Sequence, residues 1–101
     1  MAYKIHFLDI AIQELDDAKE YYEYQQLNLG IKFIKAIKNS VELIENYPLA
    51  WHPLSSKTRR CLVKNFPYAI IYQIRESEIL IIAISNLHRK PNYWIERILK
   101  D

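Results

Sequence analysis

The 101-residue sequence contains one cysteine, one glycine and four prolines. A lone cysteine, Cys61, can form neither an internal disulfide nor a cysteine-rich metal site. A lone glycine leaves no material for a Gly-rich loop that cradles phosphates. Collagen-like and low-complexity classes are excluded by the same scarcity. The longest stretch without Asp, Glu, Lys or Arg is 11 residues, 46–56, against the roughly 20 that a membrane-spanning helix needs. Lys4, Asp9, Glu14, Asp16 and Asp17 deny the N-terminal region the apolar run of a signal peptide. His6, His52 and His88 lie far apart and lack metal-ligand spacing, so neither a metal nor a cofactor is expected. What is present is apolar: half the residues, 16 of them Ile, with 26% charged. That composition folds. The length suits one cytoplasmic domain over residues 1–101, with a thin core because small domains bury less of their surface.

The net charge of +2 hides a division. Residues 1–30 carry two Lys against six acidic residues, a net of −4, and residues 31–101 carry twelve basic against six acidic, a net of +6. The densest basic block is Lys57, Arg59, Arg60 and Lys64. Such segregation points to an anionic partner for the C-terminal half, although a solvated polar surface gives the same pattern.

Periodicity places these residues on elements. Tyr3, Ile5 and Phe7 alternate with Lys4, His6 and Leu8, as in a short half-buried strand. Asp9 is placed to cap the following helix through its carboxylate. Ala11, Leu15, Ala18 and Tyr22 recur at helical spacing, with Glu14, Asp17 and Glu20 off that face. Asn28 and Gly30 interrupt the pattern. A second helix runs from about Leu29 to Asn46, with Phe33, Ile34, Ile37, Val41 and Ile44 on its apolar side, and Pro48 stops it. The short break implies a helical hairpin. Residues 47–57 read as a loop. Arg59–Val63, Tyr68–Arg75 and Glu78–Ser85 have strand composition, and Glu76-Ser77 is a hairpin-sized connection. Ile79–Ile84 is apolar on both faces, as in a strand with neighbours on each side. Asn92–Leu99 reads as a short terminal helix. The order βααβββ(α) is that of an α+β domain whose helical hairpin covers one side of the sheet. The other side is expected to be more exposed and to have room for a site.

No Ser, His and Asp set has a recognisable context. Cys61, mid-strand, reads as a buried inert thiol. The Tyr21, Tyr22 and Tyr24 run reads as core and rim packing, and Trp94 as an anchor for the terminal helix. The strongest constellation joins two distant segments: Lys57, Arg59, Arg60 and Lys64, and then His88, Arg89, Lys90 and Tyr93. Brought together across a meander, fixed cations would bind a phosphodiester and stabilise added charge in its transition state. Metal-free RNA cleavage could be built this way, with a basic residue or a Tyr carrying the proton. Aromatics beside cations suit nucleic acid equally.

The chain also resembles a known family over nearly its whole length. The markers are Ala18-Lys19-Glu20-Tyr21-Tyr22, Leu29-Gly30 followed by Phe33, Asn46-Tyr47-Pro48, and Arg60 ahead of Phe66-Pro67-Tyr68. Ile70-Ile71-Tyr72-Gln73-Ile74 and Arg89-Lys90-Pro91-Asn92-Tyr93-Trp94 follow. In this order and spacing they are similar to the ParE/RelE superfamily of toxins from bacterial type II toxin–antitoxin systems. The resemblance implies a curved antiparallel sheet carrying a helical hairpin, growth inhibition through a large cellular machine, plasmid stabilisation, and a cognate antitoxin that holds the toxin inactive in a hetero-oligomer. RelE-like members cleave messenger RNA on the ribosome, which would make Arg60, Arg89 and Tyr93 catalytic here. ParE-like members poison DNA gyrase and are not nucleases. Lys57, Arg59, Lys64, His88 and Lys90 would then meet the target. Phe66-Pro67-Tyr68 and the Pro91–Trp94 spacing look closer to the ParE-like branch. One departure stands out. Many relatives carry a His five residues before the proline matching Pro91, and here that position is Asn86, with His88 displaced by two. A non-toxic member that only binds its antitoxin is the third reading this departure allows.

Overall fold

The computed structural model describes residues 3–98. Strand β1 (Lys4–Phe7) leads into α1 (Asp9–Gln25) and α2 (Leu29–Asn46). These are followed by β2 (His52–Pro53), β3 (Thr58–Leu62), β4 (Tyr68–Arg75), β5 (Glu78–Asn86) and a 3-10 turn at Ile95–Arg97. The sheet runs β1-β5-β4-β3-β2, so β5 has a neighbour on each side, as its two-sided apolar sequence implies. The α+β architecture, the helical hairpin and the β4–β5 hairpin all follow the expected order. Three details differ. The sheet is mixed and not wholly antiparallel, because β1 pairs parallel with β5, Lys4 opposite Glu78 through Phe7 opposite Ile81. A parallel pair needs a long crossover, and the intervening helices supply it. Within the expected loop, His52 and Pro53 pair with Arg60 and Arg59 as a short edge strand. The terminal helix shrinks to the 3-10 turn, which starts after Asn92 takes a left-handed backbone (φ 63); Leu99 lies outside the described residues.

Asp9 does not cap α1. Leu8 holds the cap position with no side-chain hydrogen bond, because the β1 ladder continues through the Leu8 N–H to the Ile81 carbonyl at 3.0 Å. Asp9 falls in the first helical turn, where its charge complements the helix dipole. The start of α2 is capped from the neighbouring helix. The Glu23 carboxylate accepts from the Asn28 N–H at 2.9 Å and the Gly30 N–H at 3.0 Å. The two helices meet closely at Gly30, since a Cβ there would sit 2.7 Å from the Lys19 carbonyl oxygen. Gly30→Ala is therefore expected to lower stability by about 1–2 kcal/mol, the cost of overpacking less a small gain in helix propensity. Urea unfolding checks this, as a lower midpoint at unchanged slope.

Apolar residues fill both sides of the sheet. On the helix side Phe33, Ile37 and Ile44 of α2 pack with Ala11 and Ala18 of α1 over Ile70, Tyr72, Ile79, Ile81 and Ile84. The strand alternation changes phase within β5. Ile71 pairs with Ala83 and Tyr72 with Ile81, leaving Ile82 as an extra, bulged residue. Ile79 and Ile81 before the bulge and Ile84 after it thus share one side. The opposite side is not open as expected. Trp94, 5% exposed, lies over Ala69, Ile71, Ile82 and Ala83. Two alanines leave the space that the indole fills. Trp94 is an anchor, as its position after Pro91 suggested.

Candidate functional site

The roof that Trp94 forms fixes the segment before it. Arg89 and Lys90 come to lie beside Arg60 of β3 around a shallow depression of about 160 Å³. Arg60 shares this side of the sheet with its pairing partner Ile71. Arg60, Arg89 and Lys90 all line the depression and no carboxylate does, a lining suited to an anionic group such as a phosphate or carboxylate. The structure thus brings together Arg60, Arg89 and Lys90 from the sequence-derived constellation.

The other members are elsewhere. Alternation along β3 turns Arg59 to the helix side, where its Nη1 donates to the carbonyls of Trp51 at 2.7 Å and Leu49 at 3.2 Å. Arg59 holds the 47–57 loop and is not available to the depression. Lys64 lines a groove on the helix side. Lys57 precedes β3, where its carbonyl accepts from the Ile74 N–H at 2.9 Å. His88 is exposed and outside the depression's lining. His6 is an edge-strand residue, 3.4 Å from Glu78. Asn86 is committed locally: its Oδ1 accepts from the His88 N–H at 2.8 Å, and its Nδ2 lies 3.4 Å from the Tyr68 hydroxyl. Cys61 is 1% exposed, and burial pushes its thiol up to about 11. Among the described residues no group of three His, Cys, Asp or Glu could hold a metal.

Tyr93 adjoins the depression but faces a different group. Its hydroxyl donates to Glu14 Oε2 at 2.6 Å. Burial, and then this hydrogen bond, push the phenol up to about 12. The Arg89 guanidinium lies 3.7 Å over the Tyr93 ring centre, and its Nη1 is 3.6 Å from Glu14 Oε2. Arg97 makes a two-pronged contact with the same carboxylate, Nη1 to Oε1 at 2.9 Å and Nη2 to Oε2 at 3.1 Å. The Ile84 N–H donates to Glu14 Oε1 at 3.1 Å.

Glu14 and Arg97 were not among the expected site residues, and both matter. Their side chains are 13% and 15% exposed. Glu14 was placed off the apolar face of α1, yet it sits three residues after Ala11 and four before Ala18, both buried. A carboxylate between two small buried residues on one helical stripe is the signal that could have found it. The α1 helix thereby clamps Arg89, Tyr93 and Arg97 into one rigid unit beside the sheet. Chemically this unit presents fixed positive charge while its phenol and carboxylate hold each other.

A family model described as the ParE toxin of the type II toxin–antitoxin system, parDE, matches residues 5–93. A solved structure described as the chromosomal ParDE toxin–antitoxin system from P. aeruginosa is similar in fold. Its TM-score is 0.62 at 17% identity, over 86% of this chain and 98% of that one. No curated protein matches the sequence. No helix among the described residues is long and apolar enough to cross a membrane.

Proposed function

This chain belongs to the ParE toxin family of type II toxin–antitoxin systems, and we propose that it inhibits growth by binding DNA gyrase in the cytoplasm and not by cutting RNA. The observation that carries this reading is the state of Tyr93. A proton carrier must reach its substrate with a suitable pKa. The Tyr93 hydroxyl is spent on Glu14 and its acidity is moved away from neutrality. Asn86 stands where many relatives have a His, and its amide is bound locally. Arg60, Arg89 and Lys90 are exposed, which suits docking on an acidic surface. Lys57 and His88 would lie at the margin of such a contact, whereas Arg59 and Lys64 serve other parts of the molecule.

The nuclease reading retains one favourable observation, that Arg60 and Arg89 line the same depression of about 160 Å³. Paired assays separate the two. The purified chain is expected to block gyrase-dependent supercoiling and to leave messenger RNA intact on programmed ribosomes. Arg60→Ala and Arg89→Ala should each raise the concentration needed for inhibition roughly 10- to 100-fold, the loss of one charge-assisted contact of about 1.5–3 kcal/mol. Cleaved messenger RNA with normal supercoiling would reverse the assignment.

A further inference from the structure

The depression that Arg60, Arg89 and Lys90 share is not walled by charge alone. Leu54, in the turn between β2 and β3, and Leu87, just past β5, line it too, with Pro91 beside them. Leu54 is 38% and Leu87 47% exposed. A single wet leucine is ordinary, but two around one group of cations form an amphipathic patch. Neither leucine sits on loose chain. The Leu54 and Ser55 N–H groups donate to the Thr58 carbonyl at 2.7 and 3.2 Å, and the Thr58 N–H donates to Ser55 Oγ at 3.2 Å. The Leu87 N–H donates to the Pro67 carbonyl at 2.9 Å. The next two N–H groups, of His88 and Arg89, donate to the Asn86 side chain at 2.8 Å and to its carbonyl at 3.1 Å. Both leucines are thus held outward by a fixed backbone, which reduces the ordering cost of binding through them.

Aliphatic side chains beside cations discriminate between two kinds of anionic partner. Single-stranded nucleic acid is held by phosphate contacts together with exposed rings on which bases stack. Among the described residues lining the depression the one ring is the Trp94 indole, which is 5% exposed and spent on the sheet. A duplex presents phosphates and sugars, which are met by charged and polar side chains. A protein interface instead combines apolar anchors with arginines. We propose that this face docks on a protein segment in which a carboxylate is flanked by apolar side chains. The carboxylate would meet Arg60, Arg89 and Lys90, and its apolar neighbours would pack against Leu54 and Leu87. This inference rests on the toxin reading above and narrows it, from an acidic surface of the target to an acidic and apolar stretch of the target polypeptide and not its nucleic acid.

The test uses the full chain, with growth arrest on induced expression, inhibition of gyrase-dependent supercoiling, and binding to heparin as three readouts. Heparin is a polyanion without apolar side chains. Leu54→Ala and Leu87→Ala should each raise the concentration needed to inhibit supercoiling about tenfold, as suits a half-exposed leucine that becomes buried. The two together should raise it about 100-fold, because they sit on separate segments, and should abolish growth arrest. Heparin binding should be the same in the wild type and the leucine variants, weakening as salt rises, whereas Arg60→Ala should lower it. Circular dichroism guards against misfolding, and changes at exposed sites leave stability nearly unchanged. A double leucine variant that arrests growth and inhibits as the wild type does would overturn the inference, leaving charge alone and a nucleic acid as the occupant. If the wild type arrests growth without inhibiting gyrase while the double variant does not arrest growth, the gyrase reading falls and the protein-docking surface stands. If the wild type does not arrest growth, both fall together.

Discussion

Glu14→Ala is expected to remove about 3–5 kcal/mol of stability, the usual cost of deleting one partner of a buried ion pair. The loss is large because one carboxylate serves several elements at once. It holds the Arg97 guanidinium through two contacts, the Tyr93 hydroxyl and the Ile84 N–H. Removing it strands a cation that is only 15% exposed. A chain of this length has about 5–15 kcal/mol in total, so the variant would sit near the limit of folding. Urea unfolding measures the loss. Limited trypsin digestion locates it, because Arg97 should become cleavable once the C-terminal segment lifts from the sheet. Glu14→Gln keeps the shape and one acceptor oxygen and should fall between the two. A midpoint for Glu14→Ala within 1 kcal/mol of the wild type would show that the clamp is dispensable.

Phe33→Ala is expected to cost a similar 3–5 kcal/mol, for a different reason. Phe33 is fully buried. Its ring centre lies 5.2 Å from Tyr22, 5.1 Å from Phe66 and 5.0 Å from Tyr68, with the last two edge-on. It is the shared member of an aromatic cluster that ties both helices to the β3–β4 connection and to β4. Truncation leaves a cavity among stiff rings that collapse poorly, and it removes several favourable ring pairs. The midpoint of urea unfolding should drop by at least about 1 M, given the usual slopes. Phe33→Leu, which refills most of the volume, should recover more than half of the loss. Equal effects from the two substitutions would argue against a packing origin.

Local pattern was a good guide wherever one element decided the outcome. The apolar stripes of α1 and α2, their break near Asn28 and the turn at Glu76-Ser77 are properties of short segments, and they were legible. Pairings between distant segments were not. Nothing near Lys4 announces that it will lie parallel to Glu78, 74 residues away in the register of the sheet. The Ile82 bulge is equally hidden, because an unbroken apolar run looks the same in either phase. The candidate site divides along the same line. Arg60, Arg89 and Lys90 were recognisable as cations in two segments that could meet. Arg59 looked identical to its neighbour, and only the strand's alternation, fixed by the burial of Cys61, sends it to the loop carbonyls. Tyr93 read as a candidate proton carrier because Glu14, its partner, is 79 residues distant.

The Glu14–Arg97 contact, 83 residues apart, also bears on when this protein can harm the cell that makes it. During synthesis α1 leaves the ribosome long before β5 and the 3-10 turn exist. Until they do, β1 has no strand to pair with and Glu14 has no cation to hold. Long-range closure of this kind is slow relative to local helix formation. The cation cluster therefore assembles last, when Arg89 and Lys90 are drawn in beside Arg60. Until the chain is complete through Arg97, Arg60, Arg89 and Lys90 have no common scaffold on which to gather.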